Sequence, residues 1–260
     1  MTGIIENASV TETSPLQARD AGIERPTARQ FVRFAFHRVL PEWRRRSAAE
    51  RAADREEVAA IVDDIAARDG VLLRSYSLVG TRGDADLMFW MVSEDLDDLH
   101  EMSARLNAAS MAGYLESPYH YFAMTKRSTY AEAHRHSDGR PQEGRSSRLV
   151  VSPTGRRFLF VYPFVKTRAW YRLSQDERQR QMSEHITMGH RHPNVKINTT
   201  YSFGLDDQEF VVAFESDSVS DFLDLVQEMR GSEASTHTVR DVPSFTCISM
   251  GIAEALSALG

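Results

Sequence analysis

A chain of 260 residues with 42% hydrophobic content can bury one large core or two smaller ones. Its net charge of −6 argues against nucleic acid as the main partner, and its single cysteine, Cys247, excludes an internal disulfide and any Cys-x-x-Cys metal or covalent-haem motif. No apolar run reaches the length of a membrane span and no basic-then-apolar leader opens the sequence, so a reduced, cytoplasmic protein is expected.

Residues 1–27 are polar, mixed in charge and without periodicity, and are expected to form an N-terminal arm, flexible or lying on a partner subunit. Phe31 to Phe36 reads as a strand. Ser47-Ala-Ala-Glu50 is a capping box that opens a helix through Val58, Ile61, Val62 and Ile65. Val71 to Val79 and Leu87 to Val92 read as strands joined around Gly80-Thr-Arg-Gly83. Leu96 to Leu106 is an amphipathic helix, and Tyr119 to Met124 a further strand. A basic loop, residues 126–156, follows; it lacks the interleaved aromatics of an RNA-binding segment. Phe158 to Phe164 then reads as a strand in which Pro163 fits only at an edge, a bulge or an end. Ser174-Gln-Asp-Glu177 is a second capping box, opening a helix through Met182, His185, Ile186 and Met188.

The order of elements repeats. Trp43-x-x-x-Ser47-x-x-Glu50-Arg51 matches Trp170-x-x-x-Ser174-x-x-Glu177-Arg178. Tyr76-Ser77 and Asp84-x-Asp86 match Tyr201-Ser202 and Asp207-x-Glu209, and each match runs on into an acidic amphipathic helix. The chain is therefore α+β: two tandem ferredoxin-like repeats, residues 28–125 and 157–260, each β-α-β-β-α-β, sharing one continuous sheet with the helices outside it. The repeat also acts as an internal control. Aligning the tryptophans sets His185 opposite Val58, Lys166 opposite Val39, and Tyr162 opposite Ala35 or Phe36. A histidine on an apolar helix face is commonly a satisfied core residue, but the first repeat shows that the scaffold needs no imidazole there. Function is assigned to the second repeat.

The run Tyr162-Pro-Phe-Val-Lys166, Trp170-Tyr171, Glu177-Arg178, Glu184-His185, Asn198-Thr199 and Met229-Arg230-x-Ser232-Glu233-Ala234-Ser235 resembles the chlorite dismutase-like superfamily. Within it the likeness is greatest to the coproheme decarboxylases of bacterial haem synthesis, over Gln30 to about Met250. That resemblance implies a dimeric α+β barrel-type subunit holding one non-covalent haem, usually in a homopentamer. It implies His185 as the iron ligand, since a neutral imidazole nitrogen suits iron. Tyr162 would be the redox-active tyrosine in a reaction that uses hydrogen peroxide to turn two propionates of iron coproporphyrin III (coproheme) into the vinyl groups of haem b. Lys166 and Ser235 match propionate-holding positions, with Arg230 as a further candidate whose plainer role is a helix-end cation.

Two departures bear on the chemistry. Chlorite-degrading relatives carry a distal arginine where this sequence aligns Ile197, a feature that resembles the actinobacterial-type decarboxylase branch. That branch draws a distal histidine from the loop between the halves, here His134 or His136; both also read as ordinary surface residues. The alternatives are a haem-binding or haem-sensing protein without turnover, or a chlorite dismutase- or peroxidase-like enzyme. Zinc ranks below haem, because His185, His190 and His192 follow no zinc-site pattern.

Overall fold

In the computed structural model the described residues are 29–128, 130 and 149–260. The first unit runs β1 (Phe31–Val39), α1 (Ala48–Ala66), β2 (Leu72–Ser77), β3 (Leu87–Ser93), α2 (Leu96–Ala108) and β4 (Leu115–Met124). The second runs β5 (Phe158–Lys166), α3 (Gln175–Gly189), β6 (Lys196–Tyr201), β7 (Phe210–Ser216), α4 (Val219–Met229), β8 (Thr238–Arg240) and β9 (Phe245–Ser249), and α5 (Ile252–Ser257) closes the chain. The strands order β4-β1-β3-β2 in the first unit and β9-β5-β7-β6 in the second, the same arrangement twice. β2 pairs with β9 and β4 with β6, so the two sheets join at both edges and the pairings form a closed ring, with β8 alongside β5. Closing the ring removes the exposed edges that two separate sheets would present.

Alternation along the strands divides the core. Val32, Phe34, Phe36, Leu159, Val161, Val211, Ala213 and Phe245 belong to a cluster without any helix residue, which fills the inside of the ring. The intervening residues of β1 and β5 face the helices. β1 and β5 share both ends under the repeat alignment and α1 and α3 begin at matching positions, so Ala35, not Phe36, stands opposite Tyr162.

The repeated motifs have physical roles. Asp86 accepts from the backbone N–H of Val39 at 2.8 Å, and its counterpart Glu209 accepts from that of Lys166 at 2.8 Å, so each repeat anchors the end of its first strand with the same acid. Ser47 and Glu50 close a reciprocal capping box. Ser174 accepts from the Glu177 N–H at 3.2 Å, but Glu177 turns its carboxylate to Arg180 and Gln181 rather than back to the cap, so only half of the second expected box forms. Ala53 occupies the place of Arg180 in the first repeat and offers Glu50 no competing partner. Pro163 lies inside β5 and pairs with Val211, yet on the other side of the strand β9 ends opposite Val161 and β8 begins opposite Val165. The missing N–H falls in that gap. α5 was not legible as an element; its Ile252, Ala255 and Leu256 join the first unit's helix layer.

Candidate functional site

The two helix layers share a plan but not a filling. In the first repeat Val58, Ile61, Val62 and Ile65 of α1 pack with Leu99, Met102 and Leu106 of α2 and with Leu87, Phe89 and Met91 of β3, all buried. In the second, the buried hydrophobics that cluster in the layer are Phe160, Val195, Phe214 and Leu225, with Phe158, Tyr162, Val212, Phe222 and Met229 only partly covered. Interiors pack at crystal-like density. A layer left open in one of two matched units is therefore a candidate ligand space.

Tyr162, on the helix-facing side of β5, stacks on Phe214 with ring centroids 5.7 Å apart and planes 25° from parallel. Burial, with a smaller push from Asp241, holds its phenol well above the usual range despite the opposing charge of Arg230. It stays protonated across the accessible pH range. His185 sits on α3, half-buried, and its Nδ1 is fully buried with no hydrogen-bond partner among the described residues. Burial first, and the charge of Lys166 second, lower its pKa to about 4, so the imidazole is neutral near pH 7. A neutral imidazole is the form that can ligate a metal.

Lys166 ends β5 at 9% exposure. Its Nζ donates to the Ala234 carbonyl at 2.6 Å and lies 4.5 Å from the Trp170 ring centroid. Burial lowers its pKa to about 8, opposed by Glu209, so it remains largely charged at neutral pH. Ser235 follows Ala234 in the turn Glu233–His237 and donates its hydroxyl to the Arg230 and Ser232 carbonyls at 2.8 and 2.7 Å. Arg230 at the end of α4 is ion-paired with Asp241. Lys166, Ser235 and Arg230 are thus joined through one turn, with the first charge felt at His185 and the last at Tyr162. Ile197 on β6 pairs with Phe214, which puts it on the Tyr162 side of the sheet; at 43% exposure it presents an apolar surface there. His192 bonds Glu228 at 2.7 Å. His134, His136 and the arm at 1–27 lie outside the described residues.

Several contributions were not read from the sequence. Phe214 and Asp241 reach the site from later segments, and Ala234, part of the Met229 to Ser235 motif, supplies a backbone carbonyl to Lys166 that no motif announces. Gln181, 2% exposed, bonds both Glu177 and Glu233 and so ties α3 to the Ser235 turn. Glu209 was visible as a repeated acid, but not its bond from the Tyr171 hydroxyl at 2.6 Å.

A family model described as chlorite dismutase matches residues 51–250. The chain belongs to the chlorite dismutase family. Among characterised members it is 29% identical over 181 residues to a coproheme decarboxylase of Mycolicibacterium smegmatis, covering 68% of this chain and 73% of that one. Among solved structures, a chlorite dismutase variant from Candidatus Nitrospira defluvii superposes with a TM-score of 0.78 at 24% identity, over 88% of this chain and 95% of that one. The same enzyme in complex with imidazole gives 0.76 at 24% identity, over 88% and 94%. These structures share the tandem ferredoxin-like fold, and membership of the chlorite dismutase family makes the chain an α+β protein of the oxidoreductase kind. No helix among the described residues is long and apolar enough to cross a membrane.

Proposed function

We propose that this chain is a hydrogen-peroxide-dependent coproheme decarboxylase, making haem b by oxidative decarboxylation of two propionates of iron coproporphyrin III. The observation that carries the reading is a pair of residues at positions that carry Ala35 and Val58 in the first repeat: Tyr162 on the helix-facing side of β5, and His185 on α3 with its Nδ1 buried and unpartnered among the described residues. The likeness to the M. smegmatis coproheme decarboxylase favours this substrate. An apolar Ile197 on the Tyr162 side of the sheet favours it over chlorite chemistry, which in relatives uses a distal arginine.

The donor set fits an iron porphyrin. A buried imidazole nitrogen with no partner among the described residues stands on α3, close enough to Lys166 to feel its charge. When bound, the iron porphyrin supplies the redox chemistry that consumes peroxide. The protein's residues do the rest. His185, its imidazole neutral near pH 7, would hold the iron. Tyr162 gives up a hydrogen atom from its hydroxyl and recovers one from the substrate propionate, which then loses carbon dioxide. Overall, each propionate with one peroxide and one proton yields a vinyl group, carbon dioxide and two waters. Lys166 and Ser235 orient the carboxylates, and Arg230 contributes charge at the Tyr162 end. His134 or His136 serves as the base that deprotonates peroxide, an assistance worth roughly a hundredfold to ten-thousandfold. The working form is a cytoplasmic homopentamer, which sedimentation of the purified chain would test.

The deciding experiment adds iron coproporphyrin III to the protein, titrates with hydrogen peroxide and follows product masses. Stepwise loss of two carboxyl groups is expected. A porphyrin mass that never changes, with iron ligation intact, would leave a haem-binding protein without turnover.

A further inference from the structure

The first repeat carries a polar cluster that the proposed reaction does not use. On the helix-facing side of β1, Arg33, Ala35 and His37 alternate, and strand pairing sets His120 beside Ala35. Arg33 is 6% exposed. Its Nη1 donates to the Leu99 carbonyl at 2.8 Å and to the Ser103 hydroxyl, while Nε is buried with no partner among the described residues. Nor does any described carboxylate compensate it: burial alone acts on the guanidinium, pulling it from 12.5 to about 10. His37 has its Nδ1 3.2 Å from the Ser117 hydroxyl and leaves Nε2 buried and unpartnered. His120 is exposed and opens the cluster to solvent. The described acid whose charge acts on His120, Asp206, already accepts from the Phe122 N–H and from Gln208, both at 2.8 Å.

A buried arginine is normally paired, because removing a charge from water without a counter-charge is costly. The scaffold does not demand this one. Under the repeat alignment Arg33 corresponds to Phe160, Leu99 to Phe222 and Ser103 to Val226, and Phe160 and Phe222 simply stack with centroids 3.9 Å apart. Between Arg33 and His37, Ala35 carries only a methyl group where Tyr162 stands in the second repeat. With Nη1 occupied, the guanidinium keeps its Nε–Nη2 edge, the two-donor fork that matches a carboxylate or phosphate.

We propose that Arg33, with His37 and His120, forms a binding site for a small free oxyanion, a carboxylate or a phosphate, in the first repeat and separate from the Tyr162–His185 layer. The test uses the full chain at constant ionic strength, titrated with sodium phosphate, sodium acetate or sodium chloride while the unfolding temperature is followed. Phosphate or acetate should raise it saturably and chloride should not, the two active arms telling a phosphate site from a carboxylate one. Arg33→Met should weaken the apparent affinity by about tenfold or more, as expected for a lost charge-assisted hydrogen bond. If Arg33→Met does not fold, Arg33→Lys (charge kept, fork lost) and the exposed His120→Asn take its place, each with a several-fold loss expected. Coproheme binding, read by absorption, should be unchanged in all three variants. The proposal is overturned if neither anion stabilises the wild type saturably, or if the folded variants bind as tightly as wild type. It is also overturned if Arg33 proves to matter only for association of one copy with another.

Discussion

At the scale of single residues, Tyr162 separates packing from chemistry. Its ring stacks on Phe214, and no hydrogen bond to its hydroxyl occurs among the described residues, so Tyr162→Phe removes an oxygen and little else. The variant should fold, bind iron coproporphyrin III and react with peroxide, yet release no carbon dioxide, because a phenyl ring has no hydrogen atom to give. Wild-type conversion to haem b by Tyr162→Phe would refute the mechanism and leave only porphyrin binding. His37 makes a second residue-scale prediction, on stability. Burial first, then the charges of Arg33 and His120, lower its pKa from 6.5 to about 4. Between those values the unfolded chain takes up a proton that the folded chain refuses, so the folded state is fully favoured above pH 6.5 and loses stability as pH falls towards 4. The loss from this one group is at most roughly 3 kcal/mol. Urea unfolding of His37→Gln in oxyanion-free buffer should show a shallower decline over that interval than wild type. Identical slopes would mean that His37 titrates normally.

At the scale of elements, the anchoring acids give the cleanest comparison, because the repeat supplies the same device twice with one copy next to the site. Removing either should cost about 1–3 kcal/mol in urea unfolding, since each leaves a strand-end N–H without its carboxylate. Asp86→Ala should do no more than that. Glu209→Ala frees the end of β5 that carries Lys166 and removes the partner of Tyr171, so it should also weaken coproheme binding several-fold. Equal coproheme affinity in the two variants would show that the Lys166 backbone needs no such anchor. The same elements show what a sequence can reveal. Strand and helix periods, the Ser47 box and the repeated acids are local signals, and the elements they predict are formed. Glu177 misled because its rival Arg180 sits three residues away on the same helix, a competition that the cap motif alone does not express. Ring closure through β2–β9 and β4–β6 and the Gln181–Glu233 bond depend on segments far apart in the chain, which no local pattern encodes.

At the scale of the whole molecule, one fold is used twice with unequal investment in packing. The first helix layer is closed by α1, α2 and the C-terminal Ile252, Ala255, Leu256 and Leu259, whereas the second lacks comparable filling. Hydrophobic burial is the main favourable term in folding, so the ligand-free molecule should be least stable where burial is least. Hydrogen exchange offers a direct measurement. Without ligand, the amides of α3 and α4 should exchange faster than those of α1 and α2, although all four helices lie on the same ring of strands. A porphyrin that fills the second layer binds only the folded form there, and at a hundred times its dissociation constant adds about 2.7 kcal/mol to that form. Coproheme should therefore slow exchange in α3 and α4 and leave α1 and α2 nearly unchanged. Phosphate or acetate, acting at Arg33, should do the reverse, protecting α2 through the Leu99 and Ser103 contacts. Equal protection of all four helices before ligand is added would mean that the two layers are equally packed, and the case for a ligand space in the second repeat would fall with it.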